Sequence, residues 1–480
     1  MTGLEVPLDV AALRAELSGG GLQPLELGQL HIGAGALDRL GDLVAAAGGP
    51  TTAVALASAT PITAAGSPLR DEVGSRLASC YALRWVELGP ADGSVHADER
   101  TVAVARRAAA DAGCVIAAGS GTICDIAKAA APDGVPLVVV QTATSVNGYA
   151  DPFSVLLKSG VKRTTPTRWP DALIADTDVL TDAPARLKLA GAGDMAAMFT
   201  ATADWYLAAL LGADGPPYRD AVAGLVRPHG ESLLAAGQSL AGDAGQLAGL
   251  AGLLTLSGIA MGVTGSTAPA SGMEHAVSHL LEMADTAAGD PGRAGGNYHS
   301  VNYHGEQVGV ASIVAAATWA HVRHLIDRGA LGRPVRLPDP DVIADRITGA
   351  FDALDPSGAM AAECLADYAV KIKLLSAAAD PLAPLRDAWD ECDAALGRVL
   401  TGPRELATGL RAAGLPVRFA GLPAPVDDEQ AAWAVAACAL QRRRFGVADL
   451  AMLLGAWEDD DVAAVLAAAE SAAAEAEGKP

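Results

Sequence analysis

The strongest constraint in this chain is a change of pattern near residue 184. From about residue 25 to residue 140, short β-prone runs alternate with helical ones, as in 52–58, 68–79, 83–88, 98–112 and 114–118. That alternation specifies βαβ units, and so a parallel sheet covered by helices. From Pro184 onward β-branched runs become rare and long Ala/Leu/Glu/Arg patterns take over, punctuated by Gly and Pro at 212–217, 291–296 and 329–340. The expectation is an α/β nucleotide-binding domain over 1–183 followed by an all-helical metal-binding domain over 184–480. Between the two patterns, 142–182 is turn-rich and polar for its position, and is expected to line a cleft. The segment 464–479 reads as an Ala/Glu helix or a frayed end, and no internal repeat is visible.

Composition narrows the function classes. Alanine dominates an apolar half and aromatic residues make up 4% of the chain, which favours packed helices over a sandwich of strands. A formal charge of −22, with no large Lys/Arg block, repels phosphate backbones and anionic lipid heads, so neither nucleic acid nor a membrane surface is an expected partner. The most apolar stretch, 247–263, is broken by glycines and small residues, and the first ten residues carry acidic groups with no basic-then-apolar signal. A cytoplasmic protein is expected. The six cysteines, Cys80, Cys114, Cys124, Cys364, Cys392 and Cys438, form no Cys-x-x-Cys pair and read as reduced, mostly buried thiols.

Two segments carry chemistry in the first half. Residues 114–128 read as an apolar strand, the turn Gly119–Ser120–Gly121–Thr122, and a helix bearing Asp125. Glycines let backbone approach a ligand or supply unusual torsions, and the N–H groups at a helix start attract an anion such as a pyrophosphate. A second strand, 136–140, ends in Gln141–Thr142–Ala143–Thr144–Ser145–Val146–Asn147–Gly148–Tyr149–Ala150–Asp151. Two hydroxyl-rich strand ends side by side would occupy the carboxyl edge of a parallel sheet, where open α/β sheets bind ligands. An early strand ends in Ala57–Ser58–Ala59–Thr60–Pro61, without the acidic residue that would hold a ribose, so NAD and NADP both remain open.

In the second half, six of the nine histidines fall between His275 and His324. His275 and His279 are four apart and share a helix face. Two imidazoles with one carboxylate and an open position suit catalytic zinc, and iron or nickel would also be accepted. His304 opens the segment His304–Gly305–Glu306–Gln307, and Asp194, at the expected start of a helix 195–210, is a candidate carboxylate. His299, His321 and His324 read as ordinary surface or core histidines.

Taken in order, these motifs resemble the sn-glycerol-1-phosphate dehydrogenase family. The resemblance rests on Gly119–Ser120–Gly121–Thr122, Thr142–Ala143–x–Ser145–x–x–Gly148–Tyr149–Ala150, Gly160–Val161–Lys162–Arg163 and Pro170–Asp171–Ala172 with Ala175–Asp176. It continues through Gly191–x–Gly193–Asp194, Asp204–Trp205, Ser271–Gly272–x–Glu274–His275–x–x–Ser278–His279, His304–Gly305–Glu306–Gln307 and Arg443–Arg444–Phe445–x–Val447–x–Asp449. It spans about residues 25 to 455. That family is related to the iron-containing alcohol dehydrogenases, glycerol dehydrogenase and dehydroquinate synthase, so the resemblance implies a dehydroquinate synthase-like fold.

The resemblance further implies one divalent ion on Asp194, His275 and His304, with His279 facing the substrate. The nucleotide, NAD or NADP, would lie over Gly119, Ser120, Gly121, Thr122 and Asp125, with Thr142, Ser145 and Asp151 beside it. The implied reaction interconverts dihydroxyacetone phosphate and sn-glycerol 1-phosphate, with Lys162 and Arg163 as candidate phosphate partners. A small-molecule substrate and a homo-oligomer go with this reading. Departures fall near the substrate: Asn147 stands where Asp is usual, Asp151 where a small residue is usual, Gln141 replaces a proline and Cys124 an asparagine. They raise the alternative of the same hydride chemistry on another polyol or a biosynthetic ketone or aldehyde. A dehydroquinate synthase-type lyase and a non-catalytic binding protein stand further off.

Overall fold

The computed structural model describes residues 4–46, 52–78, 81–90, 95–158, 161–213, 215–289, 301–332, 335 and 337–478. Cys80, Gly160 and His299 lie outside them. The chain divides into two compact units, the first taking Met1–Lys158, Lys162–Met195 and Glu231–Gly265, the second Ser159–Val161, Ala196–Gly230 and Ser266–Pro480. The stretch read as one helical domain is therefore shared out, a division that a single cut at 183/184 does not reproduce.

Apart from a short hairpin of two-residue strands, Thr63–Ala64 and Ser67–Pro68, the strands of the first unit are β1 (Gln29–Gly33), β2 (Thr52–Ser58), β3 (Ala82–Leu88), β4 (Cys114–Gly119), β5 (Leu137–Gln141), β6 (Phe153–Lys158), β7 (Val161–Pro166) and β8 (Ala172–Asp176). Six of them form one parallel sheet in the order β1-β8-β5-β4-β2-β3. Strands β4, β5 and β8 are buried along their whole length, as expected where helices cover both faces. The alternation of 52–118 thus matches the observed elements closely. The segment 142–182 is more than turns: it contains β6 and β7, which form a separate two-stranded ribbon, and β8, inserted between β1 and β5. Ala172–Asp176 is four apolar residues and an aspartate, too short a run to announce itself by periodicity.

Among the helices of this unit that pack on the sheet or on the loop after β5 are α1 (Gly121–Ala130), α2 (Ala185–Met195) and α3 (Ala244–Thr264). Among the described residues α3 alone is long and apolar enough to cross a membrane, with mean hydropathy 1.7, but 94% of that window is buried. It packs on β1, on the helix Thr177–Asp182 and on α2. Its glycines are contact points. A Cβ at Gly249 would lie 1.8 Å from the Leu4 carbonyl oxygen, and one at Gly262 would lie 2.1 Å from the Trp169 ring. A helix apolar all round is a buried helix, and here glycine sets how closely its neighbours approach.

The second unit is helical among its described residues apart from Val161. Its centre is α5 (His304–Asp327), whose residues are buried over most of its 24-residue length. α4 (Met273–Gly289) packs along it, as do the helices Pro403–Ala412, Val447–Leu453 and Asp459–Ala476. The helix expected over 195–210 is broken: α2 ends at Met195, a 3-10 turn spans Ala196–Phe199, and a new helix runs Ala201–Leu211. Asp194 therefore closes one helix and does not open the next. Five cysteines, Cys114, Cys124, Cys364, Cys392 and Cys438, are free and buried.

Candidate nucleotide and metal sites

β4 and β5 are neighbours in register, Gly119 opposite Gln141, so the two hydroxyl-rich ends do lie side by side at the carboxyl edge of the sheet. Ser120, Gly121 and Thr122 are half-buried in a run that is otherwise almost wholly buried, which leaves the start of α1 open to a ligand. The glycines act here by lacking a side chain. Neither has a positive φ, whereas a Cβ on Gly119 would meet Ile123 at 2.6 Å and one on Gly121 would meet Val146 at 2.5 Å. The expected role through unusual torsions is replaced by one through space.

The loop after β5 is fixed from several directions. Ser145 Oγ lies 2.9 Å from the Tyr149 hydroxyl, which donates to the Ala143 carbonyl. Thr144 donates to the Lys188 carbonyl, and the Gly191 N–H donates to the Thr144 carbonyl at 2.9 Å. That approach explains Gly191, since its Cβ would sit 2.2 Å from the same oxygen. The Lys128 ammonium, fully buried, reaches the Asp151 carboxylate at 2.8 Å and the Gly148 carbonyl at 2.7 Å. Asp151 also caps Phe153 N–H. Asp151, read from the sequence as a cofactor contact, is thus engaged with Lys128, a residue the motifs did not single out. Asp125 accepts from Val155 N–H and lies 3.5 Å from Lys128. Burial pushes its carboxyl up to about 7, against the pull of Lys128.

Asn147 has two attachments. Its amide Nδ2 donates to Ser257 Oγ at 3.2 Å, and its backbone N–H donates to Asp194 Oδ2 at 2.8 Å. Asp194, 1% exposed, is thereby oriented by the residue that departs from the family pattern. Lys162 and Arg163 are half-buried on β7, in the ribbon whose other strand packs on α1.

The histidines gather in the second unit. His275 and His279 stand one turn apart on α4 and His304 begins α5, with ring centroids 5.2 Å apart for His275 and His304, 5.5 Å for His279 and His304, and 6.1 Å for His275 and His279. His275 Nδ1 lies 3.0 Å from Glu274 Oε1, and His304 Nδ1 lies 3.0 Å from Glu282 Oε1 and 3.2 Å from Ser278 Oγ. Glu274 is fully buried and accepts from Thr200 Oγ1 and from Gly272 N–H. Burial would raise its pKa, but the His275 hydrogen bond and charge, with Thr200, outweigh that and hold it below the usual range. His279, Glu282 and His304 each offer a ligand atom, and these lie within 4.8 Å of one another. A carboxylate facing Nδ1 favours the tautomer that offers Nε2 to a metal. The sequence reading missed Glu282, although it lies three residues after His279 on the same helix, a spacing that puts both on one face. His321 faces Asp461 at 3.9 Å and His324 is exposed, as read from the sequence.

Residues 31–184 match the model of the iron-containing alcohol dehydrogenase family. A glycerol-1-phosphate dehydrogenase [NAD(P)+] of Bacillus velezensis is 35% identical over 259 residues, covering 53% of this chain and 62% of that protein. The chain thus spans less than two thirds of the length of the first curated relatives it matches. A protein of the same name from Halorubrum lacusprofundi is 31% identical over 336 residues, covering 68% of this chain and 88% of that one. In fold, maleylacetate reductase from Agrobacterium tumefaciens superposes with a TM-score of 0.55 at 18% identity, over 94% of this chain and 99% of that one. The order of motifs, the parallel sheet with its open helix start, the paired histidines and the Halorubrum match over most of its length place this chain in the glycerol-1-phosphate dehydrogenase branch of the iron-containing alcohol dehydrogenase family.

Proposed function

We propose that this protein is a metal-dependent, NAD(P)-linked dehydrogenase that interconverts dihydroxyacetone phosphate and sn-glycerol 1-phosphate. One divalent ion, zinc, iron or nickel, is held by Asp194, His275 and His304. The observation that carries the reading is the pair His275 and His304, each with Nδ1 on a buried carboxylate, which leaves Nε2 as the lone pair for a metal. Asp194 adds the negative oxygen, its orientation set by the Asn147 N–H. The hard–soft character of two imidazoles and one carboxylate suits these ions.

When bound, the ion supplies a Lewis acid for the ketone oxygen and the nicotinamide supplies the hydride. The chain's own groups do the rest. Backbone N–H groups at Ser120, Gly121 and Thr122 receive the cofactor diphosphate at the start of α1, close to the Gly119 turn. Asp125, whose carboxyl is raised to about 7 by burial, carries less than a full charge beside that anion. Thr142 and Ser145 border the same edge. Asp151 serves this site through Lys128 and the Gly148 carbonyl. His279 holds or passes the proton at the substrate oxygen. Asn147, its amide steadied by Ser257, takes a substrate hydroxyl, and Lys162 and Arg163 take the phosphate. The substrate choice is supported by the name that the Bacillus and Halorubrum relatives bear. A cytoplasmic setting and assembly of like copies complete the reading.

The test is the rate of NADH and NADPH oxidation by the metal-loaded protein with dihydroxyacetone phosphate, beside dihydroxyacetone and glyceraldehyde 3-phosphate. Oxidation that requires dihydroxyacetone phosphate and stops on chelation is expected. Preference for free dihydroxyacetone would overturn the substrate, and activity in a variant with alanine at Asp194, His275 and His304 would overturn the ligand set.

A further inference from the structure

Three sequence motifs of the second unit have no role in the chemistry above: Asp204–Trp205, Ser271–Gly272 and the late Arg443–Arg444–Phe445–x–Val447. They converge on one carboxylate. Asp204, 2% exposed, accepts the Met273 N–H at 2.8 Å on Oδ2, and on Oδ1 both the Val447 N–H at 3.0 Å and the Trp319 indole N–H at 3.1 Å. Met273 is the first residue of α4, two positions before His275, and Trp319 lies on α5, which His304 opens. The two glycines of these motifs are explained by the same contact. A Cβ on Gly272 would lie 2.8 Å from Asp204 Oδ2 and one on Gly446 would lie 2.7 Å from it.

The turn that enters α4 is gripped from its other side by arginines. Arg442 donates to Ser271 Oγ at 3.1 Å and to the carbonyls of Ser271 and Gly272, and Arg444 donates to the Ser271 carbonyl and to Thr267 Oγ1. Donors and acceptors of residues 271–273 are thus held between one buried carboxylate and two guanidinium groups. Glu274, the next residue, hands that constraint to His275 Nδ1. Burying a carboxylate is costly unless its oxygens are satisfied, and three N–H donors from three separate segments satisfy this one.

We infer that Asp204 is a positioning residue of the metal centre, fixing the first turn of α4 relative to α5 so that His275 and His304 present their Nε2 atoms at one point. This rests on the metal reading proposed above. The hydrogen bonds of Asp204 go to Met273, Val447 and Trp319, so its effect passes through Met273 and Trp319. A metal site of this kind depends on the groups that orient its ligands, and their loss weakens metal binding by about 10- to 100-fold.

The experiment compares Asp204→Asn with Ile347→Ala. Ile347 is a fully buried residue of the helix Pro340–Phe351, which packs chiefly on the helices Ala359–Leu375 and Asp428–Ala437, and its truncation is expected to lower stability there. Cobalt(II) affinity is read by competition with a chelator, and the visible spectrum of the cobalt-loaded full-length chain reports ligand geometry. Asp204→Asn is expected to weaken cobalt binding by about 10- to 100-fold and to alter the spectrum, while Ile347→Ala, whatever its loss of thermal stability, keeps both. Unchanged affinity and spectrum in Asp204→Asn overturn the inference and leave the metal reading standing. Failure of the unaltered chain to bind cobalt overturns the metal reading, and the inference with it. Should Asp204→Asn not fold, Trp319→Phe removes the indole donor alone and keeps an aromatic ring; a several-fold weaker affinity supports the inference, and wild-type affinity overturns it.

Discussion

In the first unit, the loop 142–151 is located largely by what is missing. Gly121 gives way to Val146, Gly191 to the Thr144 carbonyl and Gly258 to the Asn147 carbonyl, so backbone lies directly against backbone or side chain. In the second unit, the turn 271–273 is located by what is present: Asp204, Glu274, Arg442 and Arg444 meet its N–H groups and carbonyls one by one. The first arrangement is disturbed by adding atoms and the second by removing charge. A cofactor that lies along a sheet edge needs a smooth, close surface, whereas a metal needs ligand atoms aimed at a point.

The largest effect tests the buried ion pair, the charged contact by which the first unit departs most from this contrast. Lys128→Met leaves the Asp151 carboxylate buried without its partner, and the expected cost is about 3–5 kcal/mol in chemical denaturation. Combining it with Asp151→Leu should recover most of that loss; a single variant as stable as the unaltered chain would mean that the ion pair does not hold the loop.

Gly191→Ala comes next. The added methyl must displace the Thr144 carbonyl, at 2.2 Å, and Leu254, at 2.9 Å, for an expected loss of about 1–3 kcal/mol in the same measurement. Nucleotide affinity should fall with it, because the loop beside β4 moves. A fully stable Gly191→Ala would break the comparison on the first side.

Glu282→Gln probes the second side. It keeps the shape and weakens the hold on His304 Nδ1, so stability should change little while metal affinity falls by about 10-fold or more, read by chelator competition. A binding ratio of two ions per chain that drops to one in this variant would instead make Glu282 a ligand, with His279 and His304.

The smallest effect is expected at Ser120. It occupies the cap position of α1, yet its side chain makes no capping hydrogen bond, so Ser120→Ala should change stability by less than about 0.5 kcal/mol. Any larger loss in the nucleotide-free chain would show that its hydroxyl stabilises the turn after all. A loss confined to nucleotide affinity would assign the hydroxyl to the cofactor.

Legibility in the sequence follows the range of the interactions. The alternation 52–118 and the strand–turn–helix at 114–130 were legible because strand and helix periods are local, and the turn residues sit where the elements join. The pairing of His275 with His279 was legible for the same reason. Strand β8 was hidden in a polar stretch because a strand five residues long is defined by its neighbours β1 and β5. The engagement of Asp151 with Lys128 was not legible, because Lys128 is 23 residues away on a helix and carries no motif. Likewise Glu282 looks like an ordinary acidic residue, and the motif residue Asp204 has no visible role, until their partners are placed around them.

By itself, then, the sequence determined the parallel sheet, the helical half, the Gly-Ser-Gly-Thr turn at a helix start and the histidines available to a metal. Each of these depends on residue type and on spacing within a few turns of chain. The tertiary structure decided which helices belong to the sheet unit, which carboxylate faces which imidazole, and where a glycine serves for space and not for torsion. Those outcomes depend on distances between segments up to 243 positions apart, as between Asp204 and Val447, and a buried polar group acquires its role from the partners that satisfy it.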